Sequence, residues 1–74
     1  MFEKVRDLLA DQLDYDPANI TPETSIEDDI GADSLDIVEF IGTLEDEFNI
    51  TIPQSDLVNI STVGDLVKLV EKLV

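Results

Sequence analysis

Cysteine is absent from the 74 residues, and histidine is absent too. Without cysteine there is no disulfide to staple the fold, and the chain supplies no thiol chemistry of its own. Without histidine the commonest general base and metal ligand is missing. Basic residues are scarce: only Lys4, Arg6, Lys68 and Lys72, all near the two ends. Long apolar runs are lacking as well, which excludes a transmembrane span and a signal-peptide core. The expectation is a soluble cytoplasmic protein with no membrane insertion.

Acid is what the chain has in abundance. Eighteen carboxylates against four cations leave a net charge of −14, and sixteen of those carboxylates fall between Arg6 and Lys68 with no cation among them. Such a surface repels nucleic acid and anionic membranes and steers basic patches of other proteins toward it. Solubility alone needs far less charge. Disorder is disfavoured, because 43% of the residues are hydrophobic and fall in helical spacing. The length fits one small domain spanning residues 1–74 with a modest core.

Three segments carry a helical period. Phe2, Val5, Leu8, Leu9 and Leu13 form one stripe. Leu35, Ile37, Val38, Phe40, Ile41, Leu44 and Phe48 form a second arc from Ser34 to about Phe48, wider than one core face needs. Val63, Leu66, Val67, Leu69, Val70, Leu73 and Val74 form a third, opened by Thr62 and Asp65 as a capping pair. A short helix fits Pro53 to Ser61. The connection from Asp14 to Asp33 is long, but Tyr15, Ile20, Ile26 and Ile30 can pin it to the core. Asp16-Pro17 and Thr21-Pro22 read as turn starters, and Thr24 with Glu27 as a further capping pair. The fold class predicted is all-α: a small four-helix bundle of three longer helices and one short helix, with a long first loop.

The most pointed local feature is the string GADSLD at residues 31–36. A serine nucleophile needs a base, and no histidine can serve Ser34. A nucleophile elbow would need glycines where Ala32 and Asp36 stand. An intrinsic hydrolase is excluded on these grounds, and the chain is not expected to be an enzyme. Calcium-loop frames starting at Asp29 or Glu27 put Phe40 or Val38 where the closing glutamate belongs, so no metal site is assigned. Asp33 suits an N-cap, with Ser34 at the first helical position and Asp36 in the first turn. Capping explains the D-S-x-D string, but it leaves Gly31-Ala32 unexplained, two small residues that keep the approach to Ser34 open. A phosphate on Ser34 would meet the positive end of the helix, a gain of roughly 0.3–1 kcal/mol that Asp33 and Asp36 partly cancel. Only a covalent bond would hold it.

The stretch DDIGADSLDIVEFIGTLEDEF resembles the prosthetic-group site and second helix of the acyl carrier proteins of dissociated (type II) fatty acid synthesis. The likeness extends to QL at the end of the first helix, TPETS in the loop, IP after the second helix and ISTVGDL at the last. The resemblance implies a carrier of the phosphopantetheine-binding family that holds growing acyl chains as thioesters. Ser34 would bear 4′-phosphopantetheine taken from coenzyme A, with Asp33 beside it. Leu35, Asp36, Glu39, Ile41, Glu45 and Glu47 match the family's partner-docking helix. Ile26, Phe40, Leu44, Leu57, Ile60, Leu66 and Leu69 would line the space that shelters the acyl chain.

The implied partners are holo-acyl-carrier-protein synthase and the fatty acid synthesis enzymes: malonyl transacylase, ketoacyl synthases, reductases and dehydratase, met through their basic patches. A monomer is expected. Two departures from the family pattern stand out. Gly42 replaces a larger apolar residue in the second helix, and Asp56 is the only acid of the short helix QSDLVN. They support the alternative of a specialised carrier for a polyketide, amino-acid or other dedicated acyl pathway.

Overall fold

A computed structural model describes all of residues 1–74. Helix α1 spans Phe2–Leu13, α2 Ser34–Phe48, α3 Gln54–Leu57 and α4 Val63–Leu73, with a 3-10 turn at Pro17–Asn19. This is the expected arrangement of three longer helices and one short one after a long first connection. No helix is long and apolar enough to cross a membrane.

The three longer helices form where the apolar period runs, and α2 and α4 open on capping boxes while α1 and α3 open without a side-chain cap. On α1 the inward residues are Val5, Leu9 and Ala10. On α2 they are Phe40, Ile41 and Leu44. On α4 they are Val63, Leu66, Val67 and Val70. Val5, Leu9, Leu44, Val63, Leu66 and Val70 are fully enclosed, each contributing about 1.5–3 kcal/mol through burial. Neither α1 nor α2 is stopped by glycine. Asp14 and Asn49 take the left-handed conformation, at φ 53° and 55°, and return their N–H groups to Ala10 O and Glu45 O. Short Asx side chains tolerate that region better than other non-glycine residues.

The long connection is a pinned loop, as expected. Ile20 and Ile26 are buried, and Tyr15 and Ile30 pack against the core. Asp16 caps the 3-10 turn by accepting from Ala18 N at 2.9 Å, with Pro17 in its first position. The Thr24–Glu27 capping pair does not form. Thr24 is buried, its hydroxyl accepts from Thr21 N at 2.8 Å, and its carbonyl accepts from Val63 N at 3.0 Å. The turn is closed one residue later, where Ser25 Oγ accepts from Asp28 N and Asp29 accepts from Ser25 N.

The loop is then stitched to the start of α4. Ile26 N donates to Ser61 O at 3.0 Å, and Gly64 N donates to Pro22 O at 2.8 Å. A Cβ on Gly64 would lie 2.8 Å from that same oxygen, so glycine is what lets the two backbones meet. These bonds hold residues 22–26 against α4 and deliver the chain to the start of α2.

Candidate functional site

Gly31 turns the chain at φ +80°, a conformation glycine adopts without steric cost. Ala32 follows, buried, with its N–H on Ile26 O at 3.1 Å. Asp33 then caps α2 in a complete capping box. Its carboxylate accepts from Asp36 N at 2.9 Å, and Asp36 accepts from Asp33 N at 3.2 Å. The two aspartates satisfy the helix end between them, so Ser34 Oγ stands outside the cap's hydrogen bonds. Ser34 is exposed at the first helical position. Its hydroxyl is free to be esterified without dismantling the helix start.

Beside it opens an apolar cavity of about 60 Å³. Ile26, Ala32, Ile37, Phe40, Ile41, Leu57, Ile60 and Leu66 line it, Leu9 and Leu13 close it from α1, and Glu27 and Asp36 are its two acidic residues. Five of the residues expected around an acyl chain lie here: Ile26, Phe40, Leu57, Ile60 and Leu66. Leu44 does not, because it is fully enclosed in the core away from the cavity. Leu69 lines a different, shallow depression with Asp56, Asn59 and Lys68. The α1 contribution was not foreseen, since a stripe read within one helix does not say which neighbour it faces. The volume is well under the roughly 150 Å³ that encloses a benzene molecule. As it stands it accommodates a few carbons.

The expected docking residues are spread by the structure over different environments. Leu35 is 64% exposed and Glu39 is exposed. Ile41 is corrected: it is 7% exposed and turns into the cavity, not toward a partner. Six residues beyond Leu35, it sits far around the helix from it; Val38, three residues on and 59% exposed, takes the outward place. Asp36 is half-buried and committed to the cap. Glu45 is half-buried, and its Oε2 accepts from Ile52 N at 2.7 Å, tying the end of α2 to the following segment. Glu47 pairs with Lys4 at 3.1 Å. Asp46, absent from the sequence expectation, is exposed beside them. Counting three or four residues from Leu35 and Val38 would have found the outward face. The structure brings no three acidic residues together in a metal-holding group.

Gly42 sits in the middle of this outward face, where helix-interior glycine costs about 0.5–1 kcal/mol relative to alanine.

Residues 3–70 match the family model described as the phosphopantetheine attachment site. The acyl carrier protein of Clostridium acetobutylicum is 51% identical over 71 residues, covering 96% of this chain and 92% of that one. Among solved structures, a candidate acyl carrier protein from Mycobacterium tuberculosis superposes with a TM-score of 0.88 at 37% identity, covering 97% of both chains. The holo acyl carrier protein from Geobacter metallireducens, solved by NMR, gives 0.83 at 31% identity, covering 96% of this chain and 82% of that one.

Proposed function

The chain belongs to the phosphopantetheine-attachment family as an acyl carrier protein, and we propose that Ser34 is the residue to which its 4′-phosphopantetheine is esterified. It is a carrier and not an enzyme. When bound, the arm supplies the thiol that this cysteine-free chain lacks and holds acyl groups on it as thioesters.

The observation that carries the Ser34 assignment is an exposed hydroxyl on a helix end already satisfied by its neighbours. Asp33 and Asp36 complete the cap reciprocally, so modification of Ser34 breaks none of the cap's hydrogen bonds. Gly31, with no side chain, leaves the approach open, whereas Ala32 is buried and turns into the cavity. Asp33, next to the hydroxyl, would help a transferase hold its metal. The cavity bordered by Ala32, Asp36 and Ile37 supports a shelter for a short acyl chain within reach of the attachment point. All four helices contribute to or pack against one apolar cluster, which supports a single acyl-carrier domain over residues 1–74.

The partners we infer are enzymes with basic surfaces: the synthase that loads Ser34 from coenzyme A, and the enzymes of fatty acid synthesis. Leu35 and Glu39 offer an apolar contact and a free carboxylate on α2, with Val38 and Asp46 beside them. Charge steering raises encounter rates without tight binding, which suits a carrier that visits many enzymes in turn.

Mass spectrometry after incubation with coenzyme A and a phosphopantetheinyl transferase tests the assignment. One 4′-phosphopantetheine adduct is expected on the wild type and none on Ser34→Ala. An adduct that survives the substitution moves the site elsewhere. Acceptance of malonyl groups from malonyl transacylase separates fatty acid synthesis from a dedicated pathway, since a specialised carrier is expected to refuse them.

A further inference from the structure

We propose that Leu9 of α1 is the stop at the closed end of the cavity beside Ser34, and that it limits the sheltered cargo to short saturated acyl groups, up to about butyryl. The proposal rests on the reading of that cavity as the acyl shelter. It names the cargo length and the residue that sets it.

Ala32 and Asp36, two residues to either side of Ser34, border the cavity, so an arm esterified at Ser34 has the entrance at hand. The wall from α1 is different in kind. Leu9 is 1% exposed and belongs to the buried core cluster, so the space it fills has no outlet to solvent. Leu13, one turn further along the same stripe, is only half-buried. Ile60 also lines the shallow depression with Asp56, Asn59 and Lys68, so thinning the wall there opens the cavity outward. Thinning it at Leu9 opens the cavity into the core.

Volume sets the length. Roughly 150 Å³ encloses the six carbons of benzene, so the 60 Å³ beside Ser34 encloses about two or three. With the thioester carbonyl at the entrance, that is an acyl group of about four carbons. A longer chain meets Leu9 and leaves its tail in solvent. Charge narrows the class further. Glu27 and Asp36 are the acidic residues of an otherwise apolar lining, so a cargo ending in a carboxylate is repelled at the edge and poorly solvated inside. Malonyl is short enough to enter, yet it stays outside.

Melting of the loaded carrier tests this. Arms bearing acetyl to octanoyl, odd lengths included, are placed on Ser34 from the matching coenzyme A thioesters by a phosphopantetheinyl transferase and confirmed by mass. Each Tm is read against the holo form of the same protein. In the wild type Tm is expected to climb about 3–6 °C per carbon up to about butyryl, then to level off. The malonyl form is expected to melt with the holo form. Leu9→Ala removes about three carbons and leaves a dry apolar void. Its holo form is expected to melt lower, and its climb to continue to about heptanoyl, as the longer chain refills the void. Leu9→Val is the milder variant should alanine prevent folding, with levelling about one carbon later than in the wild type. Leu44→Ala is the control, because Leu44 is equally enclosed but lies outside the cavity. It is expected to lower Tm and leave the levelling point at butyryl.

A wild-type climb that runs on to octanoyl overturns the proposal. So does a levelling point that neither Leu9 variant moves, or one that Leu44→Ala moves equally. If no chain raises the wild-type Tm although the mass shows the loaded arm, the shelter reading itself fails. An arm absent from the wild type contradicts the Ser34 assignment and the proposal with it.

Discussion

At Asp33–Asp36 and again at Thr62–Asp65, a side chain accepts from the N3 backbone and the N3 carboxylate reaches back to the cap residue. The residue that follows the cap is an exposed serine in the first case and a fully buried valine in the second. Around Val63 the loop closes in, through Thr24 O to Val63 N, Pro22 O to Gly64 N, and Ser61 O to Ile26 N. Around Ser34 the chain withdraws, with Gly31 turning away and Leu35 in solvent. The same local signal therefore starts one helix that anchors the bundle and one that leaves a hydroxyl free in solvent. What separates them is the surface brought against the first turn.

The largest effect expected from breaking this contrast is all-or-none. Ser34→Ala is expected to abolish arm attachment while the melting temperature stays within the range of a surface substitution, about 0.5 kcal/mol. A Ser34→Ala protein that melts far below the wild type would place the serine in the structural class with Val63, and the contrast between the two starts would be lost.

The mirror experiment is Val63→Ala. It removes two enclosed methyl groups and leaves a cavity where α4 meets the loop, an expected loss of about 2–3 kcal/mol. For a chain of this size that lowers Tm by roughly 10–20 °C, with arm attachment at Ser34 preserved below the new transition. Differential scanning calorimetry together with the mass assay checks both halves. An unchanged Tm means that the start of α4 is not anchored as the hydrogen bonds indicate.

Alanine at two glycines sharpens the comparison further, because opposite signs are expected. In Gly64→Ala the new Cβ meets the Pro22 carbonyl at 2.8 Å. Overpacking of about 1–3 kcal/mol outweighs the helix-propensity gain of up to about 1 kcal/mol, so Tm falls. In Gly42→Ala the propensity gain stands alone and Tm rises. Equal shifts in urea-unfolding midpoints for the two variants would contradict the close contact at Gly64.

Helix positions were legible in the sequence because the apolar period marks α1, α2 and α4, and capping boxes reinforce the starts of α2 and α4. Ser34 to Phe48 and the box at Thr62–Asp65 follow from local pattern alone, as does Asp33 as the cap. The misreadings share one cause. Thr24–Glu27 has the spacing of a capping pair, yet Thr24 is drawn into contact with α4 and its hydroxyl turns to Thr21. Glu45 accepts from Ile52 N and Glu47 meets Lys4, partners that the spacing of α2 does not reveal. Ile41 belongs to an apolar arc whose burial depends on where α1 and α3 lie. Each of these is decided by a neighbour distant in the chain, and no spacing rule within one helix contains that neighbour. The cavity wall from Leu9 and Leu13 was hidden for the same reason.

The smallest expected effect concerns pH at the α4 start. Backbone N–H groups of Ser61 and Thr62 both donate to Asp65, at 3.1 and 3.2 Å, and hold its carboxyl below the ordinary aspartate value of 3.8. Desolvation opposes them, and weaker side-chain hydrogen bonds from Thr62 and Ser61 add to the lowering. A pKa depressed in the folded state means that the folded chain binds this proton less readily than the unfolded chain. The resulting stability is fully present above the unfolded value, and it is lost as pH falls through the folded one. Asp65→Asn keeps the shape of the box but removes the charge. Its Tm is therefore expected to lie below that of the wild type at neutral pH, with the gap closing as pH falls below about 4. Reading the difference between the two proteins cancels what the other seventeen carboxylates contribute to both. A gap that stays constant from neutral to strongly acid pH would assign the loss to hydrogen-bond geometry. The anchoring of α4 would then rest on its packing against the loop and not on the charge of its cap.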